Sequence, residues 1–349
     1  MSIAAATGNG SCSDAPRSRL RRWPRTLGIA ALVVAVLLLT TPLVWPIAPL
    51  ADTVSPAQLA GPGGRFVTVD DLDVYHEISG PSDADCNIVL LHGFGASVYS
   101  WRDTLPDLAA RCRVVAFDRP GFGLTSHPMP GEWTGNNPYA VETQADLTIA
   151  LMDELGMERA VLVGHSAGAA VAVLAADRYP DRISALVLEA PAVFEAGRVP
   201  RWAGPLLRSP QLRRIGPAFV RDIAGDGSDS LIRDSYHDQS LVTEEILAGY
   251  RVPLSAQNWD RALWEYVAAP RPRDLPEVVS SLTLPVLVIT PAGDRLVDPK
   301  AQRETADLIP GSRLEVIEDA GHLLHEEYPT VFESLIFRFI DELQAAGIP

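Results

Sequence analysis

Basic residues are scarce in this sequence, and their scarcity excludes one class of function. The 349 residues include 29 Lys and Arg against 44 Asp and Glu, which gives a net charge of −15. Proteins that bind nucleic acid need a basic surface to neutralise the phosphates. We therefore predict that the protein has no nucleic-acid partner.

Signatures of bound cofactors are missing as well. No set of Cys, His, Asp and Glu has the spacing of a metal site, and no G-x-G-x-x-G segment leads from a strand into a helix. The GFG at 121–123 falls in a loop that is rich in turn residues and does not precede a helix. We expect neither a metal nor an organic cofactor.

Cysteine is rare, with three in the chain. Cys12 precedes the apolar segment described below and is expected to be a free thiol. Cys86 and Cys112 stand directly before the strand-like runs NIVLLH and RVVAFD. If those strands are parallel neighbours, the two cysteines lie about 5 Å apart, within the range of a disulfide. Two buried thiols are the alternative.

One long apolar run, LGIAALVVAVLLLTTPLV, begins at Leu27 and contains no charged residue. As a helix it would span roughly 27 Å, close to the hydrocarbon thickness of a bilayer. Basic residues before such a run favour a cytoplasmic N-terminus, and five precede it: Arg17, Arg19, Arg21, Arg22 and Arg25. We predict a basic cytoplasmic tail over 1–26, a single-pass membrane anchor over 27–45, and a catalytic domain outside the cytoplasm.

A cleaved signal peptide is the alternative interpretation of the same run. Its apolar stretch is usually shorter, roughly 7–15 residues, and Pro46 and Pro49 interrupt the candidate cleavage site. Cleavage would make the protein secreted instead of membrane-bound. The following residues, 46–64, are rich in Pro, Gly and Ala and are predicted to be a linker.

Strand and helix patterns alternate through most of the remaining chain. Two short strands, RFVTV and DVYHEIS, predict a hairpin. Four apolar strands then alternate with helical segments, and the first of these helices is predicted over SWRDTLPDLAARC at 100–112. Uninterrupted apolar strands are typical of a parallel sheet that is buried on both faces. Residues 191–280 lack strand patterns, and strand–helix alternation then resumes. We predict an α/β fold, with a core over 65–190 and 281–349 and a helical cap over 191–280, inserted after the sixth strand.

The segment VGHSAG lies where one of these apolar strands becomes a helix. It fits G-x-S-x-G, with Ser166 between Gly164 and Gly168. A sharp strand–turn–helix bend leaves no room for side chains at the two glycine positions and exposes the serine hydroxyl at the sheet edge. The context predicts a nucleophilic serine instead of an ordinary turn residue.

A nucleophilic serine needs a base, and the base needs an acid that orients it. Asp294 follows the strand LPVLVIT, and His322 lies in the loop after SRLEVIE. Because the carboxyl ends of parallel strands meet at one edge, Ser166, Asp294 and His322 are expected to converge there. Three residues remain as competitors for these roles: His325 for the base, and Glu189 and Asp298 for the acid.

The tetrahedral intermediate of acyl transfer needs backbone donors for its oxyanion. The glycines of LHGFGAS, after the strand that ends near Leu91, allow N–H groups to point inward. We assign the donors to the N–H groups of Phe94 and Ala167. His92 and His165 are expected to be structural.

Taken in chain order, LHGFGAS, DRPGFGLTS, GHSAG, GDRLVDP and AGHLLHEEYP resemble the α/β-hydrolase superfamily over residues 66–349, in the branch with a helical cap. The resemblance implies a Ser-His-Asp hydrolase. Relatives that open epoxides or remove halide carry aspartate at the elbow, so Ser166 argues against both activities.

The leading functional prediction is hydrolysis of a carboxylic ester, from a small-molecule or lipid-derived substrate, through an acyl-enzyme. Carbon–carbon bond hydrolases, amidases and cofactor-free perhydrolases use the same triad and remain alternatives. A non-catalytic binding protein of this fold is a further alternative, although all three triad members are present.

Overall fold

The computed structural model describes residues 25–60, 65–194, 201–270 and 275–348. The chain divides into two compact units, Met1–Trp45 and Pro46–Pro349. In the first unit, helix α1 spans Arg25–Val44. Its Leu27–Val44 stretch has a mean hydropathy of 2.6 and no buried side chain. By length and composition it could cross a membrane, but a signal sequence near the N-terminus would have the same length and composition.

The second unit is built on one eight-stranded sheet in the order β1-β2-β4-β3-β5-β6-β7-β8. Strands β1 and β2 form an antiparallel hairpin, β2 pairs antiparallel with β4, and all remaining pairs are parallel. The strands are β1 Arg65–Val69, β2 Leu72–Ser79, β3 Asn87–Leu91, β4 Arg113–Phe117, β5 Ala160–His165, β6 Ile183–Glu189, β7 Val286–Pro291 and β8 Arg313–Ile317. The predicted mostly parallel sheet is confirmed.

Helices cover both faces of this sheet. All the α-helices of the second unit among the described residues are α2 Pro56–Ala60, α3 Leu105–Leu108, α4 Val141–Glu154, α5 Ala167–Arg178, α6 Gly204–Leu207, α7 Pro210–Ala224, α8 Asp226–Ser235, α9 Glu244–Arg251, α10 Trp259–Ala268, α11 Leu275–Ser281, α12 Pro299–Leu308, α13 Leu324–Glu327 and α14 Pro329–Ala345. One apolar cluster joins α4 and α5 to the sheet, and a second joins α3 and α14 to the opposite face. Adjacent strand residues such as Leu90 and Leu91 enter different clusters, which explains why the strands are apolar at every position.

The predicted continuous helix over 100–112 is wrong. The structure has a 3₁₀ turn at Val98–Trp101 and then a single helical turn at Leu105–Leu108. Pro106 accounts for the break, because proline lacks an N–H and its ring clashes with the carbonyl four residues earlier.

Helices α6–α11 lie between β6 and β7, in the region predicted as a cap; residues 195–200 and 271–274 of that region lie outside the described residues. We refer to residues 201–281 as the insertion, apart from 271–274. The segment predicted as a linker packs against it, since Val54 donates to Ser255 O at 3.0 Å and Gln257 donates to Val54 O at 2.9 Å.

Strands β3 and β4 are parallel neighbours, and Asn87 is aligned with Arg113. The preceding residues, Cys86 and Cys112, form a disulfide with their Cα atoms 4.9 Å apart. The bond closes a loop with a sequence separation of 26 residues. It therefore fastens the first parallel pair of the sheet at the end opposite the predicted site.

Replacing both cysteines, Cys86→Ser with Cys112→Ser, is expected to lower the free energy of unfolding by about 3–4 kcal/mol, because the unfolded chain loses its cross-link. Urea unfolding with and without reductant measures this loss, and reduction should reproduce the effect of the double variant. Cys12→Ser is the matched control and should leave the unfolding midpoint unchanged. Equal midpoints for the wild type and the double variant would contradict the prediction.

Candidate active site

Ser166 occupies a strained turn between β5, which ends at His165, and α5, which begins at Ala167. Its backbone has φ 52° and ψ −116°, a conformation that non-glycine residues rarely adopt. A Cβ on Gly164 would lie 2.7 Å from Ala169 Cα, and one on Gly168 would lie 2.1 Å from Leu91 O. Both glycines are therefore required by the close approach of backbone around the serine.

His322, in the loop after β8, contacts the carboxylate of Asp294, which follows β7. The distance from His322 Nδ1 to Asp294 Oδ2 is 2.7 Å, and the Asp294 side chain is fully buried. Three further donors hold this carboxylate: the N–H groups of Leu296 and Val297 at 2.8 and 3.0 Å, and Gln302 Nε2 at 2.7 Å. With Nδ1–H directed at Asp294, the other ring nitrogen of His322 is left as the basic one.

Two of the three competing residues, His325 and Glu189, form a separate histidine–carboxylate pair. His325 donates from its backbone N–H to Glu189 Oε1 at 3.0 Å and from Nδ1 to Oε2 at 2.8 Å. Its Nε2 lies 2.7 Å from Ser100 Oγ, and all three side chains are buried. Asp298 instead caps α12 by accepting from Lys300 N. The structure thus places Asp294, and neither Glu189 nor Asp298, beside His322.

Burial shifts the pKa values of both members of the Glu189–His325 pair. It raises the pKa of Glu189 to about 7 and lowers the pKa of His325 to about 3, so His325 is neutral at neutral pH. His165 lies beside both, and burial holds its pKa well below the ordinary value. The side-chain nitrogen and oxygen atoms of His165, Glu189 and His325 that could bind a metal ion lie within 4.8 Å of one another. Because Glu189 and both His325 nitrogens already make hydrogen bonds, we describe the group as a hydrogen-bonded cluster.

Within the described residues, neither of the two N–H groups predicted to bind an oxyanion is taken up by a turn or loop hydrogen bond. Among the backbone hydrogen bonds of the described ranges, neither Phe94 N nor Ala167 N is a donor. The loop that carries Phe94 runs against the serine turn, since a Cβ on Gly93 would lie 3.2 Å from Ser166 Cβ. The loop is held close by His92, whose Nδ1 donates to Gly93 O at 2.8 Å.

Ser166 and His322 both line a cavity of about 500 Å³. Most of its other walls are apolar or aromatic, contributed by the Phe94 loop, α5 and the insertion. Among the described residues that line it, none is Lys, Arg, Asp or Glu. Side chains of the insertion that line it include Leu231, Ile232, Tyr250, Tyr266 and Val267. The cavity can therefore enclose an apolar, uncharged group next to the serine.

A serine at a strained strand–helix turn and a histidine held by a buried carboxylate, both carried by a mostly parallel sheet, have the arrangement found in α/β hydrolases. The chain is a hydrolase of the α/β-hydrolase superfamily, because a family model described as the alpha/beta hydrolase fold matches residues 87–329.

Three similar proteins show the range of that family. An uncharacterized hydrolase, YugF of Bacillus subtilis, is 28% identical over 81% of this chain and 99% of its own. The 2-hydroxymuconate semialdehyde hydrolase of a Pseudomonas strain is 29% identical over 76% of this chain and 91% of its own. The structure of a thermophilic esterase from Thermogutta terrifontis matches with a TM-score of 0.62 at 25% identity, over 80% of this chain and 98% of that one.

Proposed function

We propose that the protein hydrolyses carboxylic esters with an uncharged, apolar acyl group through an acyl-enzyme at Ser166. The observation that carries the proposal is that His322, paired with the buried Asp294, lines the same apolar cavity as Ser166. Serine, rather than aspartate, at the turn favours an acyl intermediate. The alternatives of an amidase and a perhydrolase use the same nucleophile but demand more of the leaving group or of the acceptor.

In the proposed mechanism, Ser166 Oγ attacks the ester carbonyl carbon while His322 takes the hydroxyl proton. The carbonyl oxygen becomes an oxyanion that accepts from the N–H groups of Phe94 and Ala167. Asp294 stabilises the imidazolium, which then gives its proton to the departing alkoxide as the C–O bond breaks. Water, deprotonated by His322, attacks the acyl-enzyme, and the acid leaves as Ser166 recovers its proton.

Carbon–carbon bond hydrolysis is the second candidate, because one similar protein is a 2-hydroxymuconate semialdehyde hydrolase. Substrates of that kind carry an anionic group, and an anion held in a low-dielectric cavity needs a cationic partner. No Lys or Arg is among the described residues that line this cavity. This lining favours the neutral ester over the anionic substrate.

We propose further that Leu27–Val44 anchors the enzyme in the membrane, with the tail cytoplasmic and the catalytic domain outside. The hydropathy of this stretch supports membrane insertion, and the arginines before it support the orientation. The Cys86–Cys112 disulfide agrees with an oxidising compartment. The core would then comprise 65–190 and 281–349 and the cap 191–280, while secretion after cleavage is the alternative location.

Substrate class is tested with p-nitrophenyl esters from acetate to palmitate, matched anilides, and a 2-hydroxy-6-oxo-dienoate, using full-length enzyme in detergent. We expect kcat/KM to rise from acetate to a maximum at a medium-length chain, because the cavity is apolar but limited in volume. The anilides and the dienoate should be hydrolysed at least about 100-fold more slowly. The anilides demand more of the leaving group, and the dienoate anion has no cationic partner among the described residues that line the cavity. Faster turnover of the dienoate than of every ester would contradict the proposal.

A further inference from the structure

Arg119 is fully buried, and its side chain is directed at the loop that carries Phe94. Its Nε donates to His92 O at 3.0 Å and its Nη2 donates to Gly93 O at 3.1 Å. Its Nη1 donates to Gln144 Oε1 at 2.7 Å. Arg119 also makes a side-chain hydrogen bond with Tyr266, and its Cζ lies 5.1 Å from the centroid of the Phe122 ring, so its neighbours are backbone and amide oxygens, a tyrosine hydroxyl and an aromatic face.

In the part of the chain that the structure describes, no carboxylate pairs with the charge on Arg119. Arginine stays protonated in proteins, yet within the described residues no Asp or Glu forms an ion pair with it or shifts its pKa. The neighbouring Asp118 faces elsewhere, accepting from the N–H groups of Val98 and Leu124 at 2.7 and 2.6 Å. A buried, unpaired cation is costly, so its placement calls for a compensating role.

We propose that Arg119 is a positioning residue that fixes and polarises the Gly93–Phe94 peptide so that the Phe94 N–H stabilises the oxyanion. This inference rests on the proposed function. It identifies a residue, outside the triad and the cavity lining, that acts on the oxyanion through the Gly93–Phe94 peptide; its second contact, with the cavity residue Tyr266, is tested by the affinity for a cavity-filling alcohol.

The chemistry follows from the covalent structure of a peptide. Gly93 C=O and Phe94 N–H belong to the same amide, so donors at the oxygen draw electron density from the N–H and strengthen it as a donor. Two donors converge on this oxygen, Arg119 Nη2 and His92 Nδ1. Burial and the adjacent Arg119 charge keep the pKa of His92 well below its ordinary value. His92 thus stays neutral, and its Nε2 accepts from Arg119 N at 3.0 Å.

The test compares Arg119→Met with Arg119→Lys in the full-length enzyme, because only lysine retains the charge. We expect Arg119→Met to lower kcat about 10–100-fold with KM nearly unchanged, somewhat less than the loss of a whole oxyanion donor. Affinity for an alkylboronic acid, whose serine adduct is tetrahedral and anionic, should fall by the same factor. Affinity for a fatty alcohol that fills the cavity should not change. Arg119→Lys should recover most of the loss.

Equal losses in Arg119→Met and Arg119→Lys, or a fall in alcohol affinity that matches the fall in boronate affinity, would overturn the inference. Arg213→Met is the matched control: Arg213 pairs with Glu265 in the insertion and does not line the cavity, so its kcat should equal that of the wild type.

A second variant keeps the inference testable should Arg119→Met not fold. Gln144→Glu is isosteric and places a carboxylate on the guanidinium, which neutralises its field, and kcat should fall about 10-fold. An unchanged kcat in Gln144→Glu would overturn the inference. Wild-type enzyme that neither hydrolyses an ester nor binds the boronate would instead overturn the proposed function.

Discussion

Ser166→Ala is expected to lower kcat for the best p-nitrophenyl ester about 10⁵–10⁶-fold, because the nucleophile that forms the acyl-enzyme is gone. Residual turnover would come from the free oxyanion donors and from substrate binding. The fold should persist, since alanine fits wherever serine fits at this turn, and the unfolding midpoint verifies it. Steady-state kinetics with both proteins at equal concentration measure the loss.

The chain supplies a matched control for this variant. Ser100 also lies 2.7 Å from a histidine that is paired with a carboxylate, but it is buried away from the cavity. Ser100→Ala should keep kcat within about 3-fold of the wild type and lose about 1–3 kcal/mol of stability, because Glu326 and His325 lose a hydrogen-bond partner. A loss of activity in Ser100→Ala as large as in Ser166→Ala would contradict the assignment of the nucleophile.

Asp294→Asn is expected to lower kcat about 10³–10⁴-fold. An amide in place of the carboxylate cannot stabilise the imidazolium and favours the wrong ring tautomer. KM should change little, because Asp294 contacts His322 and not the acyl group in the proposed complex. The pH dependence of kcat, measured with the same ester, should show that activity is not restored at higher pH.

Glu189→Gln provides the comparison, since Glu189 makes the equivalent contact with His325. We expect a small change in kcat and a stability loss, because the buried His325 N–H groups would face a weaker acceptor. The opposite pattern, with Glu189→Gln inactive and Asp294→Asn active, would make Glu189 the catalytic acid. Similar losses in both variants would show that the two pairs act as one unit.

Sequence reasoning reached the sheet and the serine turn because each depends on local pattern. Apolar strands predict burial on two faces, and the two glycines around Ser166 predict a turn too tight for side chains. Both signals lie within a few residues of the feature they predict. The order of strands along the sheet, which brings β5, β6 and β7 together, follows from right-handed crossovers between parallel neighbours.

The sequence predicted Asp294 as the acid but could not exclude Glu189 and Asp298. Glu189 ends β6 and Asp294 and Asp298 follow β7 at the same edge of the sheet, so position alone does not exclude any of the three. What separates them is side-chain direction: Asp294 faces His322, whereas Glu189 faces His325 at a separation of 136 residues. Such a pairing depends on the packing of α13 against the sheet.

Arg119 was missed for a related reason. In the sequence it belongs to a loop full of turn residues, where an arginine is ordinarily exposed. Its burial depends on acceptors from two distant segments, the adjacent His92 and Gly93 in one loop and Gln144 in α4. The RPGFG context, with an arginine two residues after the end of the apolar strand β4, was the available signal.

The central claim is that Ser166 forms a covalent acyl-type adduct, and a fluorophosphonate probe tests it most directly. Full-length enzyme is labelled, digested and mapped by mass spectrometry, with Ser166→Ala and Ser100→Ala treated in parallel. We predict one adduct, on Ser166, in the wild type and in Ser100→Ala, and none in Ser166→Ala. Folded wild-type enzyme that takes no label, or carries it on another residue, would contradict the account.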